Sequence, residues 1–137
     1  MRETFVDTSY WLAVLNPRDA YHKLAIQIPR PPRMVTTRGI QIEVMDALSS
    51  PRLRRLAVRF WQRTNSDPHL EIVGIENSLL SRAGSLFQKR PDKDWSFTDC
   101  ISFVVMEERK ITAALSNDRH FEQAGFQCLL RKPSQDV

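Results

Sequence analysis

Four acidic residues, Asp7, Glu43, Asp99 and Asp118, are placed where a chain of this length can bring them together. Converging carboxylates repel one another unless a cation neutralises them. No cysteine or histidine lies at metal-ligand spacing, so the donor set is oxygen, which suits a hard ion such as magnesium or manganese. An ion held by a few carboxylates and waters can activate water for attack on a phosphodiester. Each acid also has a plainer explanation. Asp7 fits a helix cap, Asp99 the acidic half of a Ser96-x-x-Asp99 capping pair, and Asp118 a turn residue. Glu43 can reach past the helix edge to water. It lies beside an apolar face read as Ile40, Val44, Ala47 and Leu48, where an unpartnered charge is expensive, so a cation or hydrogen bonds should hold it. Asp46, one turn on, is either solvated or a supporting acid.

The elements that must position these acids follow from periodicity. Glu3 to Asp7 reads as a short buried strand, and Thr8-Ser9 opens a helix that Asn16-Pro17 stops. A second short helix spans Asp19 to Gln27, and Pro29-Arg-Pro-Pro32 breaks it. Met34 to Thr37 is a strand, followed by a helix from Arg38 to Ser49. Pro51 to Thr64 is a helix with Leu53, Leu56, Ala57 and Phe60 on one side and Arg52, Arg55, Arg59 and Arg63 on another. With Arg54 it is the most basic element, either a solvated face or a surface that tracks phosphates. Leu70 to Val73 is a third strand and Ile75 to Lys89 a further helix. Asp99 falls in the first turn of a helix opened by Ser96, and Ile111 to Leu115 is a buried strand that ends just before Asp118. Arg119 to Gly125 is a helical turn closed by glycine, Phe126 to Leu130 a last strand, and Arg131 to Val137 a polar tail. His22 reads as a surface residue and His69 as structural.

This order is that of an α/β domain with a mostly parallel sheet, whose functional crevice lies beyond the carboxyl ends of the strands. Asp7 and Asp118 both follow strands. The 137 residues, 42% hydrophobic and 26% charged, fit one domain over 1–137. Glu3 and Asp7 interrupt any secretory signal, and no run approaches the ~18 apolar residues of a membrane span. A cytoplasmic chain is expected, with Cys100 and Cys128 as thiols rather than a disulfide. A net charge of +4 suits an anionic partner.

Phe5-Val-Asp-Thr-Ser9, Ile42-Glu-Val44, Phe97-Thr-Asp-Cys-Ile101 and Leu115-Ser-Asn-Asp-Arg-His-Phe121, with Ala124-Gly-Phe126 after it, resemble in order and spacing the PIN-domain family. The last motif is the most specific and resembles the toxin branch. The resemblance implies a three-layer α/β/α sandwich and a metal-dependent ribonuclease, the toxin of a VapBC-type pair. It implies Asp7, Glu43, Asp99 and Asp118 as catalytic acids holding one or two magnesium or manganese ions, with Thr8 and Ser116 supporting them. It further implies an RNA substrate, a small antitoxin protein and a homodimer, with no membrane. Arg52, Arg55 and Arg59 are the candidate RNA contacts. Asn117 and the proline-rich stretch from Arg30 to Arg33 depart slightly from the family pattern. A haloacid-dehalogenase-like phosphatase would need an acid at Ser9 and is set aside. The alternative is a catalytically silent PIN-like module that binds RNA or protein; loss of an acid would favour it, and all four are present.

Overall fold

The computed structural model describes residues 2–132. Among these residues five strands form one sheet in the order β3-β2-β1-β4-β5: β1 (Thr4–Val6), β2 (Met34–Thr37), β3 (Leu70–Val73), β4 (Ala113–Leu115) and β5 (Gln127–Cys128). Every pairing is parallel. Parallel strands are covered on both faces, which is why β1 and β2 are buried at every position. Thr36 tolerates full burial because its hydroxyl donates to the Val6 carbonyl at 2.9 Å.

Among the described residues seven helices complete a three-layer α/β/α arrangement: α1 (Thr8–Leu15), α2 (His22–Gln27), α3 (Arg38–Ala47), α4 (Arg54–Ser66), α5 (Asn77–Lys89), α6 (Phe97–Glu108) and α7 (Arg119–Gln123). From β1 the chain builds outward through β2 to β3, then returns to lay β4 on the other side of β1. The direction of winding reverses between β1 and β4. In open α/β sheets such a switch point opens a crevice at the strands' carboxyl ends. Asp7 and Asp118 stand just beyond β1 and β4.

Aromatic packing holds the flanking elements in place. Phe103 meets Trp95 and Phe121 edge-on, each at 5.0 Å between centroids, and Phe121 lies 6.1 Å from Phe5 in β1. Phe103 is one turn beyond Asp99, and Phe121 lies three residues past Asp118. The same contacts that seat α6 and α7 on the sheet therefore fix where these acids emerge. At the far end of the sheet Arg109 binds Glu3 at 2.8 Å and Glu71 at 2.7 Å, tying the end of α6 to β1 and β3.

Several boundaries differ from the sequence expectation. Residues 51–53 form a turn and α4 begins at Arg54. Helix α5 begins at Asn77 because Glu76 is extended, with φ −87° and ψ 161°. Helix α2 starts at His22, since Asp19 instead holds a turn by accepting the Tyr21 N–H at 2.8 Å. Strands β4 and β5 are shorter than the apolar runs containing them. Before β4 the chain passes Lys110 at φ 57°, and Ile111 N–H bonds back to the Met106 carbonyl at 2.9 Å. This left-handed stop on α6 delays the ladder to Ala113. The buried face of α3 is Ile40, Gln41, Val44 and Leu48; Ala47 is exposed. Gln41 is admitted because its amide donates to Thr64 Oγ1 at 3.0 Å and Asn65 Oδ1 at 3.2 Å. Both cysteines are free thiols. Of the expected polar tail, residues 133–137 lie outside the described residues.

Candidate active site

Asp7, Glu43, Asp99 and Asp118 line one open crevice of about 730 Å³ beyond the switch point. Each reaches it from a different element. Asp7 is the residue between β1 and α1, Glu43 projects from α3, Asp99 lies in the first turn of α6, and Asp118 caps α7. Ligand atoms of Asp99, Asp118 and His120 lie within 4.8 Å of one another, and Asp7 and Glu43 share the crevice beside this tight group.

Hydrogen bonding sorts the plainer explanations. The carboxylate of Asp7 makes no capping bond to α1, although its backbone carbonyl starts that helix. Asp99 does form the capping box, with Ser96 N–H donating to Oδ2 at 3.0 Å and Ser96 Oγ accepting from Asp99 N–H at 3.0 Å. Asp118 caps α7 through Oδ1, which accepts the His120 N–H at 2.9 Å. Two acids thus cap a helix and face the crevice at once.

The hydroxyls named from the sequence touch the acids. Thr8 Oγ1 donates to Glu43 Oε1. Ser116 Oγ donates to Asp7 Oδ2 at 2.8 Å and accepts the Asp118 N–H at 3.0 Å, linking the two strand ends. Two further residues were not singled out for the site. Ser9 Oγ also donates to Asp7 Oδ2, at 3.0 Å, and accepts the Asn117 N–H at 3.1 Å. His120 places Nδ1 2.9 Å from Asp99 Oδ2. The available signals were position and motif: Ser9 is two residues after Asp7 and His120 two after Asp118, each inside a stretch that carries the family resemblance.

Side-chain and cap hydrogen bonds fall on one oxygen of each acid: Asp7 Oδ2, Glu43 Oε1, Asp99 Oδ2 and Asp118 Oδ1. The second oxygen of each is left for another partner, apart from the adjoining Thr8 N–H that also favours ionised Asp7. Buried carboxylates without a cation resist ionisation. Burial pushes Asp7 up to about 6, against the pull of the Ser116 and Ser9 hydroxyls, with the Asp118 charge adding to the rise. Burial likewise raises Glu43 and Asp99, and the charge of Asp118 raises both further. The open oxygens and the raised pKa values fit a hard divalent ion at this site.

The arginines in and just before α4 are placed differently. Arg52, Arg55 and Arg59 are exposed, and none of them lines the crevice, whereas Arg119 does. Neither His22 nor His69 belongs to the site: His22 Nδ1 lies 2.7 Å from the Ala13 carbonyl, and His69 is exposed on the β3 approach. Among the described residues no helix is long and apolar enough to cross a membrane.

A parallel sheet with a switch point ringed by acids defines an α/β protein with an acidic crevice at the carboxyl ends of its strands. The PIN domain matches residues 4–127, and the chain belongs to that family. It is 29% identical over 124 residues to the 23S rRNA-specific endonuclease VapC20 of Mycobacterium tuberculosis, a match covering 89% of this chain and 94% of the relative. The crystal structure of VapC20, described as a sarcin-ricin loop cleaving toxin, superposes with a TM-score of 0.84 at 28% identity, covering 90% of this chain and 95% of that one. FitAcB from Neisseria gonorrhoeae shares the fold at 10% identity and a TM-score of 0.62, covering 91% of this chain and 94% of that one.

Proposed function

We propose that this chain is a magnesium- or manganese-dependent endoribonuclease, the toxin of a toxin-antitoxin pair, working in the cytoplasm as one PIN-like domain over 1–137. The observation that carries it is the crevice shared by Asp7, Glu43, Asp99 and Asp118, in which the last three each engage one oxygen with the protein and leave the other open. In this reading the four acids hold one or two ions, which supply an activated water and neutralise charge on the scissile phosphate. Thr8, Ser9 and Ser116 fix the carboxylates against rotation, so that little reorganisation is needed when an ion and substrate arrive. Likeness to VapC20 makes ribosomal RNA the first substrate to test. A small antitoxin and a second copy of the chain are the proposed protein partners. Arg52, Arg55 and Arg59 are proposed to attract RNA from outside the crevice.

The test is single-turnover cleavage of ribosomal RNA by purified protein. Cleavage should require magnesium or manganese and stop in excess chelator. Undiminished cutting in chelator would refute the metal-dependent reading.

A further inference from the structure

The residue pattern that named the four acids gave His120 no task, yet its ring and its main chain reach two of them. Its ring Nδ1 lies 2.9 Å from Asp99 Oδ2 and 3.5 Å from Asp118 Oδ1. Its backbone N–H donates to Asp118 Oδ1 at 2.9 Å, so one residue touches both acids, by ring and by main chain. The ring is four-fifths buried, with 19% of the side chain exposed, and the next residue, Phe121, is fully buried in the core. The backbone of α7 therefore has little freedom to swing the ring away.

An ionised carboxylate only accepts hydrogen bonds, so the contact requires the proton on Nδ1. That proton occupies the Nδ1 lone-pair direction and removes this nitrogen as a donor to a cation, so Nε2 is the one ring atom that a direct ligand would use. Ser96 N–H already donates to the same oxygen at 3.0 Å. Two donors from opposite elements, the start of α6 and the start of α7, converge on Asp99 Oδ2. Oδ1 has no hydrogen-bond partner among the described residues. A carboxylate pinned by one oxygen presents the other in a fixed direction.

We propose that His120 is a positioning residue, whose Nδ1–H holds Asp99 so that Oδ1 faces the cation, and that its ring is not itself a ligand. The inference rests on the metal-site reading above. It has a consequence for ion choice: the site keeps an all-oxygen donor set and accommodates magnesium as well as manganese, whereas a ligating imidazole would favour manganese.

The test is calorimetric titration of magnesium and of manganese into the RNA-free full chain, for the parental protein and for His120→Ala, His120→Asn and His120→Gln. The Asn amide nitrogen stands near the place of Nδ1, and the Gln amide near that of Nε2. His120→Ala should weaken both ions about 10- to 100-fold. His120→Asn should restore most of that loss and His120→Gln should not. Unchanged affinity in His120→Ala overturns the assignment. So does restoration by Gln but not Asn, or a loss confined to manganese, either of which marks a direct ligand. If His120→Ala fails to fold, the Asn and Gln pair decides the question alone. Absence of saturable binding by the parental chain overturns the metal site itself and this assignment with it.

Discussion

Replacing Asp7 with Asn tests the electrostatics of the metal-free site directly. Asp7 is 5% exposed, and its pKa rises from 3.8 to about 6, chiefly through burial. A shift of roughly two units at ~1.4 kcal/mol each amounts to about 3 kcal/mol. The raised value means that the folded protein binds this proton more tightly than the unfolded chain does. The resulting stability is fully present below pH 3.8 and is lost as pH rises through about 6. Asn keeps the shape, carries no charge, and can still accept from Ser9 and Ser116. In chelator at pH 7.5, Asp7→Asn should therefore be the more stable protein by up to about 3 kcal/mol, or on the order of 10 °C in melting temperature. At pH 4 the two should differ little. Added manganese should raise the parental melting temperature and narrow the gap, since the ion binds the folded state. The assay is chemical and thermal unfolding of both proteins from pH 4 to 8. A stability difference that stays flat across this range, or a parental protein that is the more stable at pH 7.5 without metal, would refute the reasoning.

Asp99→Asn should lower the single-turnover cleavage rate about 100-fold or more while changing metal-free stability by about 1 kcal/mol or less, because lost capping is offset by relieved repulsion. A variant that melts earlier yet cuts RNA at the parental rate would reduce Asp99 to a cap. Changing Arg52, Arg55 and Arg59 together to Ala should weaken RNA binding and flatten its salt dependence, measured by titration at several salt concentrations, with the cleavage rate at saturating RNA preserved. An unchanged salt slope would make that surface a solvated face. Lys110→Gly should stabilise the fold by about 1 kcal/mol, since Lys110 sits at φ 57°, and should leave cleavage unaltered because it lies outside the crevice.

The placement of the acids along the chain was legible because local patterns mark it. Thr4–Val6 and Ala113–Leu115 lie in short apolar runs, and an acid soon after a strand in a parallel sheet points to one rim. Ser96 and Asp99 announced a helix start through spacing alone, and the capping box formed as expected. Boundaries were less legible, because a run such as Ile111 to Leu115 shows burial and not ladder bonding. Ile111 is buried without pairing. The face of α3 was misjudged at Ala47 because hydropathy cannot register that Gln41 finds partners on α4.

What the sequence determined by itself was the set of acids, the strand-helix alternation and the family. Only the tertiary structure decided that these acids meet. Val6 pairs with Leu115 across more than a hundred residues of chain, and no local periodicity encodes that β4 returns to the side of β1. The same long-range closure brings Ser116 onto Asp7, and the packing of α7 on α6 brings His120 onto Asp99. A histidine's spacing from its neighbours in sequence carries no information about which carboxylate its ring will face, because that is set by how α6 and α7 pack through Phe103 and Phe121.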